Sequence, residues 1–182
     1  MVLLFLIQFV ERSMPPILPL YLGSISTPAG QLATIAGLVI SAGAGATATS
    51  ATIYGRLAQP GRTWALLALA LSAGVVCVVP IGLADRWEAV LGLRLLLGLL
   101  TGGSLAMGYT VGSRLVPPER TGLALGVLNS SALVGSASAP FVAGLIGRFD
   151  LRAVFGVDAL FYVAAIAVAL LWLRRADRPA QL

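Results

Sequence analysis

Residues 64–84 read WALLALALSAGVVCVVPIGLA, an apolar run without one charged side chain, closed off by Arg62 before it and by Asp85 and Arg86 after it. A helix of roughly 20 apolar residues crosses the ~30 Å hydrocarbon core of a bilayer, and this run has that length. The rest of the chain repeats the theme. Of its 182 residues 58% are hydrophobic and 10% charged, against the ~25% charge of an ordinary soluble domain. There is too little charge to coat a water-soluble globule. Charge-poor windows recur at about Val2–Leu22, Leu32–Ile53, Trp64–Ala84, Ala89–Ser113, Leu123–Gly147 and Ala153–Leu173. The second, third and fifth carry no charge at all, as membrane-spanning segments should. Long Ala/Leu/Gly runs lack the period-2 alternation of a membrane barrel. The expected fold is therefore an all-α membrane protein with six transmembrane helices, residues 1–182 forming one domain.

Several chemistries are excluded by what is missing. The chain has no His and a single Cys, Cys77, so no His-based triad or imidazole metal site can form, and no intrachain disulfide. Cys77 lies in Ala-Gly-Val-Val-Cys-Val-Val and reads as a small buried hydrophobe. No nucleophile–base pair stands out, and no catalytic or metal-ligating residue is expected. The net charge of +5 comes from arginines scattered between apolar segments, which is not the basic stripe of a nucleic-acid binder. No nucleic acid is expected as a partner. The opening Val2–Ile7 run has no basic flank before it and no small-residue cleavage site after it, so it reads as a span rather than a leader.

Arginine also orients the spans. The second–third connection, the fourth–fifth connection and the C-terminal segment carry Arg56, Arg62, Arg114, Arg120, Arg174, Arg175 and Arg178, whereas the other three connections carry only Arg86, Arg148 and Arg152. The positive-inside bias puts both termini in the cytoplasm. Trp64, Trp87 and Trp172 fall at span ends, where an amphipathic ring suits the interface.

An offset of 89 residues maps Gly37, Ser41, Ala48 and Gly55 onto Gly126, Ser130, Ala137 and Gly144. It is close to half the chain and predicts two inverted three-helix repeats, 1–86 and 87–173, with a cytoplasmic tail at 174–182. The competing explanation is that Gly/Ala/Ser-rich spans resemble one another. Small residues also recur four apart at Ala33, Gly37, Ser41, Gly45 and Thr49, at Gly135, Ala139, Ala143 and Gly147, and at Gly98/Gly102 and Gly108/Gly112. Such ridges allow close helix packing in lipid.

The first span contains residues that a bilayer disfavours: Gln8, Glu11, Arg12, Pro15, Pro16 and Pro19. Each mid-span charge costs about 2.5–3.5 kcal/mol on insertion scales, so such groups face a cavity or a partner. Pro15 and Pro16 remove the donors that the carbonyls of Glu11 and Arg12 would use, so with Pro19 they are expected to break the helix. Either this is a polar translocation site or it is a structural kink with a paired charge. Arg94 is the second candidate; it could snorkel to the interface or face a cavity. Asp158 reads as a shallow, structural charge in the last span, and Arg148, Asp150 and Arg152 read as a solvated turn.

Three stretches resemble the major facilitator superfamily and, within it, the drug:proton antiporters. Arg94 followed by Gly98, Gly102 and Gly103 is similar to the family's fourth-helix pattern. Val116-Pro117-Pro118-Glu119-Arg120-Thr121-Gly122 resembles the cytoplasmic loop that follows. Gly126, Gly135, Ala139, Pro140, Ala143 and Gly144 match the antiporter pattern, with Ala for Gly at 139 and 143. The stretch containing Gly55, Arg56, Gly61 and Arg62 resembles the loop between the family's second and third helices. It is one residue short, and Gln59 replaces an Asp, as in the degenerate loop of a C-terminal half.

The resemblance implies a C-terminal six-helix half in a bacterial inner membrane. Its first and fourth helices would line the cavity, its second and fifth would face the other half, and its third and sixth would lie outside. Gln8, Glu11, Arg12 and Arg94 would then border the path of a small-molecule substrate and of protons, and Asp158 would be peripheral. A proton gradient would supply the energy, with no cofactor. The expected partners are the lipid bilayer and a second six-helix half, either a missing N-terminal half or a second copy. The alternative is a six-helix membrane scaffold without transport.

Overall fold

The computed structural model describes residues 1–25, 27–57 and 63–176. The helices are α1 (Val2–Ser24), α2 (Leu32–Leu57), α3 (Thr63–Leu83), α4 (Trp87–Thr101), α5 (Ser104–Arg114), α6 (Thr121–Gly147) and α7 (Leu151–Ala176), with single 3-10 turns at Ala29–Gln31 and Pro118–Arg120. No β-strand occurs among the described residues. Six stretches are long and apolar enough to cross a membrane, with α4 and α5 together making the fourth. A helix satisfies its backbone internally, which is why uniform apolar runs fold this way where no water is at hand.

The first helix is the hub. It packs on α6 and α7, and more lightly on α2 and α5, while α3 joins α7 to α4 and α2 lies along α4. Its inward face, including Leu6, Val10, Met14, Leu18, Tyr21 and Leu22, belongs to the main core together with Leu67, Leu71, Val78 and Ile81 of α3 and Phe155 of α7. Tyr21 Oη stands 2.8 Å from the Ile81 carbonyl and 2.7 Å from that of Ala84. It therefore serves carbonyls at the end of α3, where helical donors run out. The Tyr21 ring meets that of Phe155 edge-on at 4.9 Å between centroids.

The fourth span differs from its expected single helix. It is interrupted at Gly102–Gly103, between α4 and α5. The carbonyls of Leu99 and Leu100 would ordinarily accept from the amides four residues on, and the break withdraws those donors. Two side chains one turn apart on α2 replace them. Ser50 Oγ donates to the Leu99 carbonyl at 2.6 Å, and Tyr54 Oη to that of Leu100 at 2.9 Å. Close approach makes this pairing feasible: a Cβ at Gly98 would lie 2.7 Å from the Gly43 carbonyl, and one at Gly102 would lie 2.7 Å from the Cα of Thr47.

The prolines of α1 also depart from expectation. The helix runs unbroken through Pro15, Pro16 and Pro19. Proline removes hydrogen bonds but has a φ compatible with a helix, and buried Met14, Ile17 and Leu18 hold this segment against its neighbours. The carbonyls of Glu11 and Arg12 still lose their usual donors, without a break in the chain's course.

Candidate functional site

Gln8, Arg12, Pro16 and Leu20 follow one another at helical spacing along a single stripe of α1. Arg12, Pro16 and Leu20 are exposed and Gln8 is half-buried, whereas the opposite side of the helix is buried. Glu11 sits beside the stripe, half-buried. The side-chain oxygen of Gln8 is buried without a hydrogen-bond partner. The six helices thus leave open the polar flank of the most tightly packed helix in the bundle.

Arg94, on α4, reaches toward the middle of α1. Gly43 of α2 makes room for it, since a Cβ there would meet Arg94 Cγ at 2.9 Å. Its Nη1 lies 3.4 Å from the Met14 sulfur, and its Nε is buried with no partner. Among the described residues neither Arg12 nor Arg94 forms an ion pair; the salt bridge present is Arg152 to Asp85 at 2.6 Å. Arg152 is accordingly more than part of a solvated turn, because it ties the first turn of α7 to the connection after α3.

The sequence reading missed the other side of Arg94. Asp158 and Ser13 are both fully buried, and Ser13 Oγ lies 2.7 Å from each carboxylate oxygen of Asp158. Asp158 is therefore no shallow charge at the periphery: it faces the middle of α1. Tyr162, one turn further along α7, is buried too. Gly74 of α3 clears space for its ring, which a Cβ would meet at 2.5 Å. Arg94 lies within electrostatic reach of Glu11, Asp158 and Tyr162 together. The signal available in the sequence was an acid in an apolar span with a tyrosine four residues on. Nothing local shows that a serine of another helix meets it.

The glycine-patterned residues divide between two environments. Gly126 and Gly144 have open space where a Cβ would be, and Pro140 is exposed, but Gly135 abuts the Phe5 carbonyl and Ala139 is buried. Gly55 and Arg56 are exposed at the end of α2. Gln59, Gly61 and Arg62 lie outside the described residues, as do 177–182 of the tail. A cavity of about 730 Å³ opens elsewhere, between the beginnings of α1 and α6 and the end of α5, and Arg120 is among the described residues that line it. None of Gln8, Glu11, Arg12 and Arg94 lines it, so the cavity and the charge cluster are separate features.

With this arrangement in view, comparison with known proteins is decisive on family. The Major Facilitator Superfamily model matches residues 1–182. The chain belongs to this superfamily. It is a multi-pass membrane protein of a transporter family. Similar curated proteins include the multidrug resistance protein MdtG of Yersinia enterocolitica, 33% identical over 167 residues, which cover 90% of this chain and 40% of the relative. The MdtG proteins of Serratia proteamaculans, 31% identical over 169 residues, and of Escherichia coli, 34% over 167, match 91% and 90% of this chain and 41% and 40% of their own length. The chain spans about 40% of the length of these relatives.

Proposed function

We propose that this chain is one six-helix half of a proton-coupled exporter of small lipophilic or cationic compounds, working with a second half by alternating access. The observation that carries this reading is the open polar stripe of α1. A lipid-facing Arg12 in mid-span would cost about 2.5–3.5 kcal/mol, and among the described residues nothing pairs with it. Water in a translocation path, or the polar wall of a second half, removes that cost.

Other features support the reading. Gly37, Ser41, Ala48 and Gly55 of α2 are exposed, and so are Gly126, Ser130, Ala137 and Gly144 of α6, the positions paired by the 89-residue offset. Small and hydroxylated residues are poor lipid partners but suit close helix packing. The second half is proposed to cover these two faces. The relatives named for multidrug resistance are more than twice as long as this chain, which fits an additional half. In this reading Glu11 binds the proton, and Gln8, Arg12 and Arg94 border the substrate path. The proton gradient supplies the energy, no cofactor takes part, and both termini face the cytoplasm of a bacterial inner membrane.

The test is flux of a lipophilic cation in proteoliposomes with and without an imposed pH gradient. Glu11→Gln is expected to abolish gradient-driven flux while leaving expression and folding intact. Full gradient-driven flux in that variant would refute the assignment.

A further inference from the structure

The Asp158–Ser13 contact has more acceptors than hydrogens. Ser13 Oγ lies 2.9 Å from the Val10 carbonyl and 2.7 Å from both oxygens of Asp158. A serine hydroxyl donates one hydrogen. If Asp158 is a carboxylate, all three neighbours are acceptors and one of the two contacts goes unmade. If Asp158 carries a proton, the acid donates to Ser13 Oγ while Ser13 donates to Val10. Both contacts are then hydrogen bonds.

Charge balance points the same way. Two carboxylates, Glu11 and Asp158, share the neighbourhood of one inward guanidinium, Arg94, and Arg12 is directed to the open face. The other helices packed on α7 bring no further charged side chain: α3 contributes only Cys77 as an ionisable group and α6 none, while α7 itself carries Tyr162 one turn on, Arg152 in its first turn, paired with Asp85, and Arg174 and Arg175 at its other end. Arg12 acts on Glu11 as well, so that pair on the open side of α1 is balanced. An ionised Asp158, by contrast, would be a fully buried carboxylate with no ion pair among the described residues, which is costly in a medium of low polarity. Among the described residues Arg94 pairs with neither acid, and its Nε is buried and unpartnered, so it keeps a donor for a carboxylate.

We propose that Asp158 is a second proton-carrying site of the bundle. It holds a proton against Ser13 and gives it up when the buried α1–α7 contact opens, with the Arg94 guanidinium near enough to act on the carboxylate left behind. The O–H bond of the acid breaks, the proton passes to water admitted at the opened contact, and the guanidinium charge balances the new carboxylate. Because Ser13 lies on α1 and Asp158 on α7, loss of the proton also loosens a contact between two helices. This site rests on the proton-coupled reading for its use in transport, but not for its protonation.

Infrared difference spectra of the protein in lipid bilayers, recorded across a pH titration, test it. At neutral pH a protonated-carboxyl stretching band is expected, shifted in Ser13→Ala and absent in Asp158→Asn. Asn has the size of Asp and can donate to Ser13, so that variant should fold. If it does not accumulate, Ser13→Ala carries the test, and an unshifted band overturns the proposal. A missing band in the unmodified protein, or a band unchanged in Asp158→Asn, overturns it as well. Flux separates the two readings. Gradient-driven flux should be lost in Asp158→Asn; if it persists in full there, the Asp158 site fails and proton coupling stands. If the unmodified protein shows no such flux yet its band disappears in Asp158→Asn, the site stands and proton coupling fails.

Discussion

Helices α2 and α4 carry small residues at the same spacing and use them in opposite ways. On α4 and at its end, the space beside Gly98 and Gly102 is filled by the backbone of α2: a Cβ at either would lie within 2.7 Å of neighbouring backbone atoms. On α2, the ridge Ala33, Gly37, Ser41, Gly45 and Thr49 is exposed along its whole length, and Gly37 and Gly45 have nothing within 4 Å of a built Cβ. Helix α6 contains both behaviours on one element, with Gly135, Ala139 and Ala143 buried and Gly126, Ala137 and Gly144 exposed. Four-residue spacing of small side chains therefore shows that a backbone can be approached closely. It does not show what approaches it, or whether the partner lies within the same chain.

The same substitution should separate the two ridges. Gly98→Ala puts a methyl group against the Gly43 carbonyl and is expected to cost about 1–3 kcal/mol, read as a lowered unfolding temperature in detergent. A stability unchanged from the parent would mean that α2 and α4 do not pack as described. Tyr54→Phe probes the polar side of that interface. It removes the donor to the Leu100 carbonyl and should cost about 1 kcal/mol, the worth of a typical intramolecular hydrogen bond. By contrast, Gly37→Ala should stabilise the isolated six-helix unit by about 0.5–1 kcal/mol, since alanine is the better helix former and has open space. If Gly37→Ala instead destabilises a larger assembly containing this chain, that difference locates the partner on α2. The smallest effect is expected for Arg152→Ala. Both members of its ion pair are well exposed, 49% and 78%, so the loss should be about 0.2–1 kcal/mol and shrink with added salt. A larger loss would show that the first turn of α7 is held more firmly than its exposure implies.

Much of the architecture was legible because it depends on local composition. An apolar run of membrane length has one way to satisfy its backbone in lipid, and the six predicted windows all became helices. The polar first span was visible for the same reason, since Gln8, Glu11 and Arg12 stand out against apolar neighbours. The effect of Pro15, Pro16 and Pro19 was misjudged, because packing of Met14, Ile17 and Leu18 sets the course of the helix as much as the missing amides do. The break at Gly102–Gly103 was likewise hidden, since two glycines in a span permit a break without requiring one. Whether it occurs depends on Ser50 and Tyr54, about fifty residues earlier, being in place to receive the freed carbonyls.

Composition and hydropathy by themselves determined that this chain is a six-span helical membrane protein with charged residues inside its first span, because those properties follow from what lipid permits each segment. Only the tertiary structure decided that Arg94 packs on Gly43 and Met14 without an ion pair among the described residues, and that Asp158 meets Ser13 across 145 residues of sequence. It alone also separated the glycine ridges into packed and open ones. Such pairings depend on which helix faces lie against each other, and a sequence window records a face without recording its neighbour.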